Sequence, residues 1–122
     1  MAWTIELDEA FEPEFLGLEA EVQDTLVATA KLLADYGPHL GRPHADTLVG
    51  SKHSNMKELR FAALDGKWRV AFAFDPERTA ILLVAGDKSG GSQKRFYKRL
   101  IAKADRRFSD HLKRLKAKKK GR

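Results

Sequence analysis

Residues 56–91 contain three apolar segments separated by two short breaks, and this arrangement restricts the fold more than any other part of the chain. Every second residue from 68 to 74 is a large apolar side chain, which is the pattern of a β-strand with one buried face. Residues 80–85 are almost continuously apolar, as in a central strand. The breaks contain an Asp-Gly and an Asp-Pro dipeptide, and both favour turns. The segment therefore predicts a meander of three strands, the first of them at residues 56–63.

Helices are predicted on both sides of this meander. Residues 3–7 alternate like a half-buried strand, and a short helix is expected over residues 9–18. Apolar residues recur every three or four positions in residues 19–36, and a Gly-Pro dipeptide ends that helix. A last amphipathic helix begins after Ser92 and carries its final apolar position at Leu115. The two early helices follow each other closely, so we expect them to form an antiparallel hairpin.

The segment between the second helix and the meander, residues 39–55, is irregular. It predicts at most one short edge strand, at residues 47–49. Three histidines and one aspartate lie in it, but their spacing matches no metal-binding motif and the chain has no cysteine. We therefore interpret the segment as a solvated loop, and we expect neither a metal ion nor an organic cofactor.

The length of 122 residues is that of one domain. We place this domain at residues 1–115 and expect residues 116–122 to form a basic, disordered tail, because the apolar stripe has ended. The lack of cysteine excludes disulfides and fits a reducing compartment. No apolar run approaches the roughly 20 residues of a membrane helix, and the acidic N-terminus does not resemble a secretory signal. These features predict a cytoplasmic protein that does not bind membranes.

Charge is distributed very unevenly along the chain. Residues 1–36 contain nine acidic residues and one lysine, whereas residues 88–122 contain fifteen lysines and arginines and two aspartates. Such asymmetry favours a basic face that binds nucleic acid or another anionic partner. The alternative is that two oppositely charged helices lie near each other and compensate much of this charge.

Several short motifs, in this order and spacing, resemble the RelE/HigB toxin superfamily. They are Lys-Glu-Leu-Arg-Phe at residues 57–61, Trp-Arg-Val-Ala-Phe-Ala-Phe-Asp at 68–75, Ala-Ile-Leu-Leu-Val at 80–84, and Gly-Asp-Lys-Ser-Gly-Gly followed by Lys-Arg-Phe-Tyr at 86–97. The similarity is to the HigB-type branch that also occurs in phages, and it extends over residues 3–112.

The resemblance implies both a fold and a function. The fold would be α+β, of the RelE-like microbial-ribonuclease type: a twisted antiparallel sheet of four or five strands packed against an N-terminal helical hairpin and a C-terminal helix. The function would be that of a toxin of a type II toxin–antitoxin pair. Such a toxin is a metal-independent endoribonuclease that cleaves mRNA, most often in the ribosomal A site. Its partners would be mRNA, the ribosome and a HigA-like antitoxin with a helix-turn-helix domain.

A non-catalytic alternative remains open. The alternative function is that of a nucleic-acid-binding toxin homologue that acts with its antitoxin in transcriptional repression. Its binding would then depend on salt, and no cleavage product would form.

Arg60 and Arg69 are the strongest candidates for catalysis. We place the two-residue turn between their strands at Asp65 and Gly66. This register sets Arg60 opposite Ala71 and makes it a diagonal neighbour of Arg69 on the same face. Two arginines at that distance can bind one phosphate, for which the planar guanidinium is well suited. The resemblance implies the same two positions. The alternative is that both are ordinary solvent-facing strand arginines.

Further candidates come from the ends of the strands and the start of the last helix. Lys88 would bind phosphate or, with a lowered pKa, transfer a proton; Tyr97 would stack on a base, donate a proton or be partly buried; His53 would be a general base. The candidates for binding the RNA backbone are Lys57, Lys94, Arg95, Lys98 and Arg99. For the cations of the last helix, the alternative is a solvated helix face.

Overall fold

The computed structural model describes residues 2–120 and contains one five-stranded sheet with a helix layer on each face. The strands are β1 (Thr4–Leu7), β2 (Ala45–Thr47), β3 (Lys57–Ala63), β4 (Gly66–Phe74) and β5 (Thr79–Asp87). The helices are α1 (Glu12–Leu16), α2 (Ala20–Tyr36) and α3 (Gln93–Lys120), with one 3-10 turn at Gly37–His39.

The sheet confirms the predicted meander. Its strand order is β1-β5-β4-β3-β2, and β3, β4 and β5 pair antiparallel in succession. β1 pairs in parallel with β5, so the sheet is mixed. A parallel pair needs a long crossover, which here contains α1, α2 and the strands β2, β3 and β4. The α+β class, the N-terminal helices and the C-terminal helix agree with the prediction.

Two apolar cores hold the helices against the sheet. On one face, Leu26 and Leu33 of α2 pack with Phe72 and Leu82. On the other face, Leu100, Ala104 and Phe108 of α3 pack with Ile81 and Leu83. β5 is therefore buried on both faces, which explains why residues 80–84 are apolar without interruption.

The β3–β4 hairpin differs from its predicted register. The turn residues are Leu64 and Asp65, both with positive φ (49° and 61°), and Ala63 pairs with Gly66. Gly66 is the first residue of β4, where an added Cβ would lie 2.8 Å from a carboxylate oxygen of Asp87. The glycine thus leaves room for the Asp87 carboxylate, whereas the Asp-Gly dipeptide had indicated a turn one residue later. The register shifts by two positions, so every side chain keeps its predicted face.

Three element boundaries also differ from the predictions. α1 is shorter than expected, because the carbonyl of Asp8 accepts hydrogen bonds from Phe11 and Glu12 and forms a turn ahead of the helix. The edge strand β2 lies at Ala45–Thr47, two residues before its predicted place.

The third boundary is the end of α3, which extends to Lys120 and so includes most of the expected tail. Residues 116–119 are alanine and lysine, which are good helix formers, and cations are favourable near a helix C-terminus. The last two residues of that tail, 121 and 122, lie outside the described residues.

Among residues 2–120, no helix is both long and apolar enough to cross a bilayer. Within the same range, no three or more histidine, aspartate or glutamate side chains come together as a metal site would require.

Candidate functional site

Arg60 and Arg69 lie directly opposite each other on β3 and β4. The backbone N–H of Arg60 donates to His44 on the β2 side, so the two arginines form a non-hydrogen-bonded pair of the antiparallel ladder. In such a pair the side chains approach more closely than at the alternate positions. Both arginines share the sheet face that α3 covers. The arginines are therefore closer neighbours than the predicted diagonal arrangement.

Glu58 lies between these two like charges. One of its carboxylate oxygens accepts a hydrogen bond from Arg60 Nη1 at 2.8 Å, and the other lies 3.9 Å from Arg69 Nε. Only 4% of Glu58 is exposed. Two opposed arginines repel each other; a buried carboxylate between them compensates that repulsion, and its hydrogen bond fixes the direction of the Arg60 guanidinium.

Arg69 is itself buried, with 6% of its surface exposed. Its Nη1 donates to the carbonyl of Trp68 at 2.9 Å, whereas its buried Nε has no hydrogen-bond partner among residues 2–120. The distance from Nε to Glu58 is too long for a hydrogen bond. A buried N–H without a partner is costly, and the nearest acceptor to it is the Glu58 carboxylate at 3.9 Å.

Tyr97 approaches the same carboxylate from the first turns of α3. Its hydroxyl donates to Glu58 at 2.9 Å. Burial, followed by the hydrogen bond to Glu58, raises the pKa of the Tyr97 phenol above its ordinary value of 10.0. The phenol therefore stays neutral at physiological pH and can act as a proton donor but not as a base.

Lys88 adds a third cation at this end of the sheet. It follows β5, and its Nζ lies 6.0 Å from the centre of the Tyr97 ring, at the limit of a cation–π contact. Partial desolvation, then the charges of Arg69 and Arg60, lower the pKa of Lys88 from 10.5. This lysine thus experiences the positive field of the arginine pair. We call Glu58, Arg60, Arg69, Lys88 and Tyr97 the arginine site.

The arginine site has one buried carboxylate and three cations, and it lies beside the N-terminal end of α3. Its residual positive charge and the partly exposed guanidinium of Arg60 are suited to an anion such as a phosphodiester. A neutral phenol next to these cations can supply a proton to a leaving oxygen. Fixed cations of this kind stabilise charge that develops in a phosphoryl-transfer transition state.

Two of the predicted site residues lie elsewhere. Lys57 is on the opposite face of β3, where its Nζ donates to the carbonyl of Pro38 at 3.1 Å. His53 contacts Ser109 at 3.0 Å through Nε2 and packs edge-on against Phe108. Phe108 follows Tyr97 by eleven residues along α3, which is a distance of roughly 16 Å. The structure therefore does not bring either residue to the arginine site.

The remaining predicted RNA contacts lie at the N-terminal end of α3, next to Tyr97. All four are exposed: Lys94, Arg95, Lys98 and Arg99. They lie in the same two turns of the helix as Tyr97, but Arg95 and Arg99 are two residues from it and so point to the other side of α3.

The C-terminal half of α3 carries cations of a different kind. Arg107 makes a double hydrogen bond to Glu14 of α1 and donates to the carbonyl of Leu83. Arg114 pairs with Asp8 and Glu9. The alternative that opposite charges of the two ends of the chain compensate each other therefore holds for these two arginines.

Glu58 is the one residue of the arginine site that the sequence analysis did not select. A signal for it exists, because Glu58 and Arg60 are two residues apart on a predicted strand and must share one face. Its burial and its contact with Tyr97 depend on where α3 packs, so only the tertiary structure identifies it.

The chain matches the model of a known protein family. The family model described as "Phage derived protein Gp49-like (DUF891)" matches residues 13–109 of the chain. That range includes β2 to β5 and every residue of the arginine site.

Two Mycobacterium tuberculosis (strain ATCC 25618 / H37Rv) proteins are similar in sequence. "Putative toxin HigB2" is 40% identical over 113 residues, which is 92% of this chain and 55% of that protein. "Putative toxin HigB3" is 43% identical over 98 residues, 80% of this chain and 83% of that protein. The chain thus spans little more than half the length of the first of these relatives.

A solved structure of the E. coli toxin RelE, a mutant in the free state, has a similar fold. The TM-score is 0.60, and the match covers 84% of this chain and 97% of the RelE chain at 14% sequence identity. This likeness confirms the expected RelE-like fold.

Proposed function

Because the chain belongs to the Gp49-like phage-derived family, whose relatives above are named as toxins, we propose that it is the toxin of a toxin–antitoxin pair and cleaves RNA at the arginine site. The reaction class is metal-independent endoribonuclease cleavage, with mRNA in the ribosomal A site as the substrate. The place of action is then the cytoplasm.

One observation carries this proposal: two directly opposed arginines converge with Lys88 and a neutral tyrosine around a buried carboxylate. Strand arginines that serve only solubility do not need a buried carboxylate between them. An arrangement in which like charges are held together at the cost of burying an acid is typical of functional sites.

The proposed chemistry follows from the positions of the side chains. The RNA 2′-hydroxyl loses its proton to water, and its oxygen forms a bond to the adjacent phosphorus while the bond to the 5′-oxygen breaks, which leaves a 2′,3′-cyclic phosphate. Arg60 and Arg69 would bind the non-bridging phosphate oxygens and stabilise the additional negative charge of the transition state. Tyr97 would deliver a proton to the departing 5′-oxygen, and Lys88 would bind the neighbouring phosphate.

The N-terminal end of α3 would position the substrate. Lys94, Arg95, Lys98 and Arg99 are exposed next to Tyr97, and contacts between such side chains and backbone phosphates do not depend on base sequence. Ribosome-bound mRNA and ribosomal RNA would both present phosphates to this row. A HigA-like helix-turn-helix antitoxin would silence the toxin in the pair.

Expression of the chain alone, with and without substitutions in the arginine pair, tests this proposal. We expect the wild-type chain to arrest growth and to fragment mRNA. Arg60→Ala and Arg69→Ala should each lower cleavage of mRNA on purified ribosomes by about 100-fold, the effect of removing one preorganised charge-stabilising group. The matched control is Arg106→Ala, which removes an exposed arginine of α3 two turns beyond the four proposed RNA contacts.

The outcomes separate the two hypotheses for this chain. If both arginine variants remain as toxic as wild type while they fold normally, the arginine site is not catalytic. If the wild-type chain binds nucleic acid in a salt-dependent manner and yields no cleavage product with or without ribosomes, the non-catalytic repressor hypothesis replaces the ribonuclease.

A further inference from the structure

A groove of about 570 Å³ lies between α2 and the outer edge of β3, next to the arginine site. It exists because β2 is short. The last pair between β2 and β3 is Ala45 with Leu59, and beyond it the N–H of Arg60 reaches the loop at His44. From there to its end, no described strand pairs with the outer edge of β3. The groove follows this free edge from one face of the sheet to the other.

The lining of the groove changes from charged to apolar across the strand edge. On the α3 side it is lined by Arg60, Arg69 and Lys67, and the first two of these belong to the arginine site. On the α2 side it contains Leu32, Ala28 and Phe61. No carboxylate lines the groove in the part of the chain that the structure describes. The molecule that fits is flat or apolar at one end and negatively charged at the other.

We propose that this groove binds the base of a nucleotide next to the phosphate held by the arginine pair, in a single-stranded RNA. The base lies against Phe61 and Leu32, and the chain crosses the edge of β3 at Ala62. This inference rests on the proposed function for the identity of the neighbouring phosphate. The base-binding subsite thus lies on the α2 side of β3, whereas the arginine site lies on the α3 side.

The backbone of Ala62 supports a base rather than a purely apolar ligand. Each residue of a strand directs both its N–H and its C=O to one side of the strand, and successive residues alternate between the two sides. Arg60 directs its N–H outward, to the carbonyl of His44. Ala62, two residues later, therefore presents its N–H and C=O along the same free edge. An adjacent donor and acceptor can bind the hydrogen-bonding edge of a base.

A polypeptide strand is the other chemistry that could use a free strand edge. Within residues 2–120, the free edge offers the groups of Ala62 and the C=O of Arg60, because the N–H of His44 donates to Gly41 and the N–H of Leu64 to Glu21. Strand addition gains its affinity from several consecutive backbone hydrogen bonds, which this short edge does not provide. The three cations at the groove also favour a phosphate-bearing chain.

A thermodynamic cycle that needs no cleavage tests the subsite. Ala28 is exposed on α2, so Ala28→Phe fills the groove without disturbing the core. The matched control is Ala102→Phe, an exposed alanine of α3 outside the groove. The probe is a fluorescent 2′-fluoro RNA pentanucleotide, which cannot react through its 2′-position. Its binding is compared with that of versions carrying one abasic nucleotide at each position in turn.

Ala28→Phe should weaken binding of the intact pentanucleotide by about tenfold, the size of one base–aromatic contact, and Ala102→Phe should leave it unchanged. One abasic position should weaken binding to the wild-type chain by a similar factor and have no further effect on Ala28→Phe. Equal abasic losses in both proteins, or wild-type binding by Ala28→Phe, would overturn the subsite.

This design keeps the two proposals separable. If the cycle gives the expected coupling but no RNA is cleaved with ribosomes, the ribonuclease proposal fails and the base subsite stands. If RNA is cleaved and Ala28→Phe binds and cleaves like wild type, the subsite fails and the ribonuclease stands. Loss of antitoxin binding in Ala28→Phe, with unchanged RNA binding, would assign the groove to a polypeptide and refute the inference.

Discussion

The arginine site and the C-terminal half of α3 are both rich in cations, yet they differ in what those cations contact. Arg107 and Arg114 meet carboxylates of the acidic N-terminal segment, which binds α3 to the start of the chain. Arg60 and Arg69 share a single buried carboxylate, and Arg69 keeps an N–H group without a partner among the described residues.

The comparison shows that the positive charge of this chain lies in two different environments. In the C-terminal half of α3, ion pairs neutralise arginines and contribute to stability. In the arginine site, one acid is shared by two arginines, so part of their charge is left for a ligand. The two regions differ in how many acidic partners their arginines have, and not in the number of cations.

The largest expected effect comes from the acid of the arginine site. Glu58→Gln keeps the size of the side chain but removes the charge that holds Arg60 and Arg69 together. We expect kcat on ribosome-bound mRNA to fall by about 100-fold, with a smaller change in KM, because the variant misplaces groups that act in the transition state.

The matched control for this carboxylate is Glu14→Gln, which neutralises the partner of Arg107 and should leave kcat unchanged. A Glu58→Gln enzyme that cleaves faster and has a lower KM would contradict a positioning role. It would mean that Glu58 competes with substrate for the arginines.

The next effect concerns the contribution of the C-terminal half of α3 to stability. Arg107→Ala removes the double contact to Glu14 and the bond to the Leu83 carbonyl. The free energy of unfolding should fall by about 2 kcal/mol, as for a hydrogen-bonded charged group, while cleavage per folded molecule is unchanged. Denaturant unfolding measures the first quantity. Arg106→Ala should change neither, and equal losses in both variants would show that the Glu14 contact is not the cause.

A smaller effect is expected in the pH dependence of substrate binding. The pKa of Lys88 is lowered from 10.5 by desolvation and by the neighbouring arginines, so its charge is lost as the pH rises through that lowered value. Tyr97, whose pKa is raised above 10.0, keeps its proton through the same interval. Wild-type affinity for RNA should therefore decrease by about tenfold on the alkaline side, as one charged contact disappears.

Lys88→Arg tests the origin of this alkaline decrease, because arginine keeps its charge at high pH. RNA binding by this variant should be constant over the range in which the wild type weakens. If the two proteins weaken together, the titrating group is not Lys88.

The smallest effect is the loss of stability at acidic pH from the ion pair between Arg107 and Glu14. The hydrogen bond and charge of Arg107 lower the pKa of Glu14 below 4.5. The stabilisation is present above 4.5 and is lost as the pH falls through the lowered pKa. Since Glu14 is largely exposed and its ion pair is screened, the difference in unfolding free energy between wild type and Glu14→Gln should be under about 1 kcal/mol at pH 7. Unfolding curves at pH 7 and pH 3 should show this difference vanish at the lower pH.

Much of the arginine site follows from alternation along the strands. Arg60 and Arg69 were placed on one face even though the predicted turn was one residue too late, because the resulting register error of two positions preserves the face. Alternation also sets Lys57 on the face opposite Arg60, since the two are three residues apart. The assignment of Lys57 to RNA binding gave more weight to its charge than to this alternation.

The other differences arise from contacts between distant segments. His53 is near β3 in the chain, but its ring is held by Ser109 and Phe108 of α3. Gly66 is needed because Asp87 of β5 approaches it, and no local signal reveals that approach. The free edge of β3 depends on where β2 stops pairing, which in turn depends on the path of the loop through His44.

The sequence by itself determined the meander, the amphipathic helices and the shared face of the two arginines, because these follow from residue periods of two and of about 3.6 within one segment. Only the tertiary structure decided which cations are neutralised and which remain available. Ion pairs join residues that are far apart in the chain, such as Arg107 with Glu14, and their formation depends on how the elements pack. The same packing of α3 against the sheet brings Tyr97 to Glu58 and completes the arginine site.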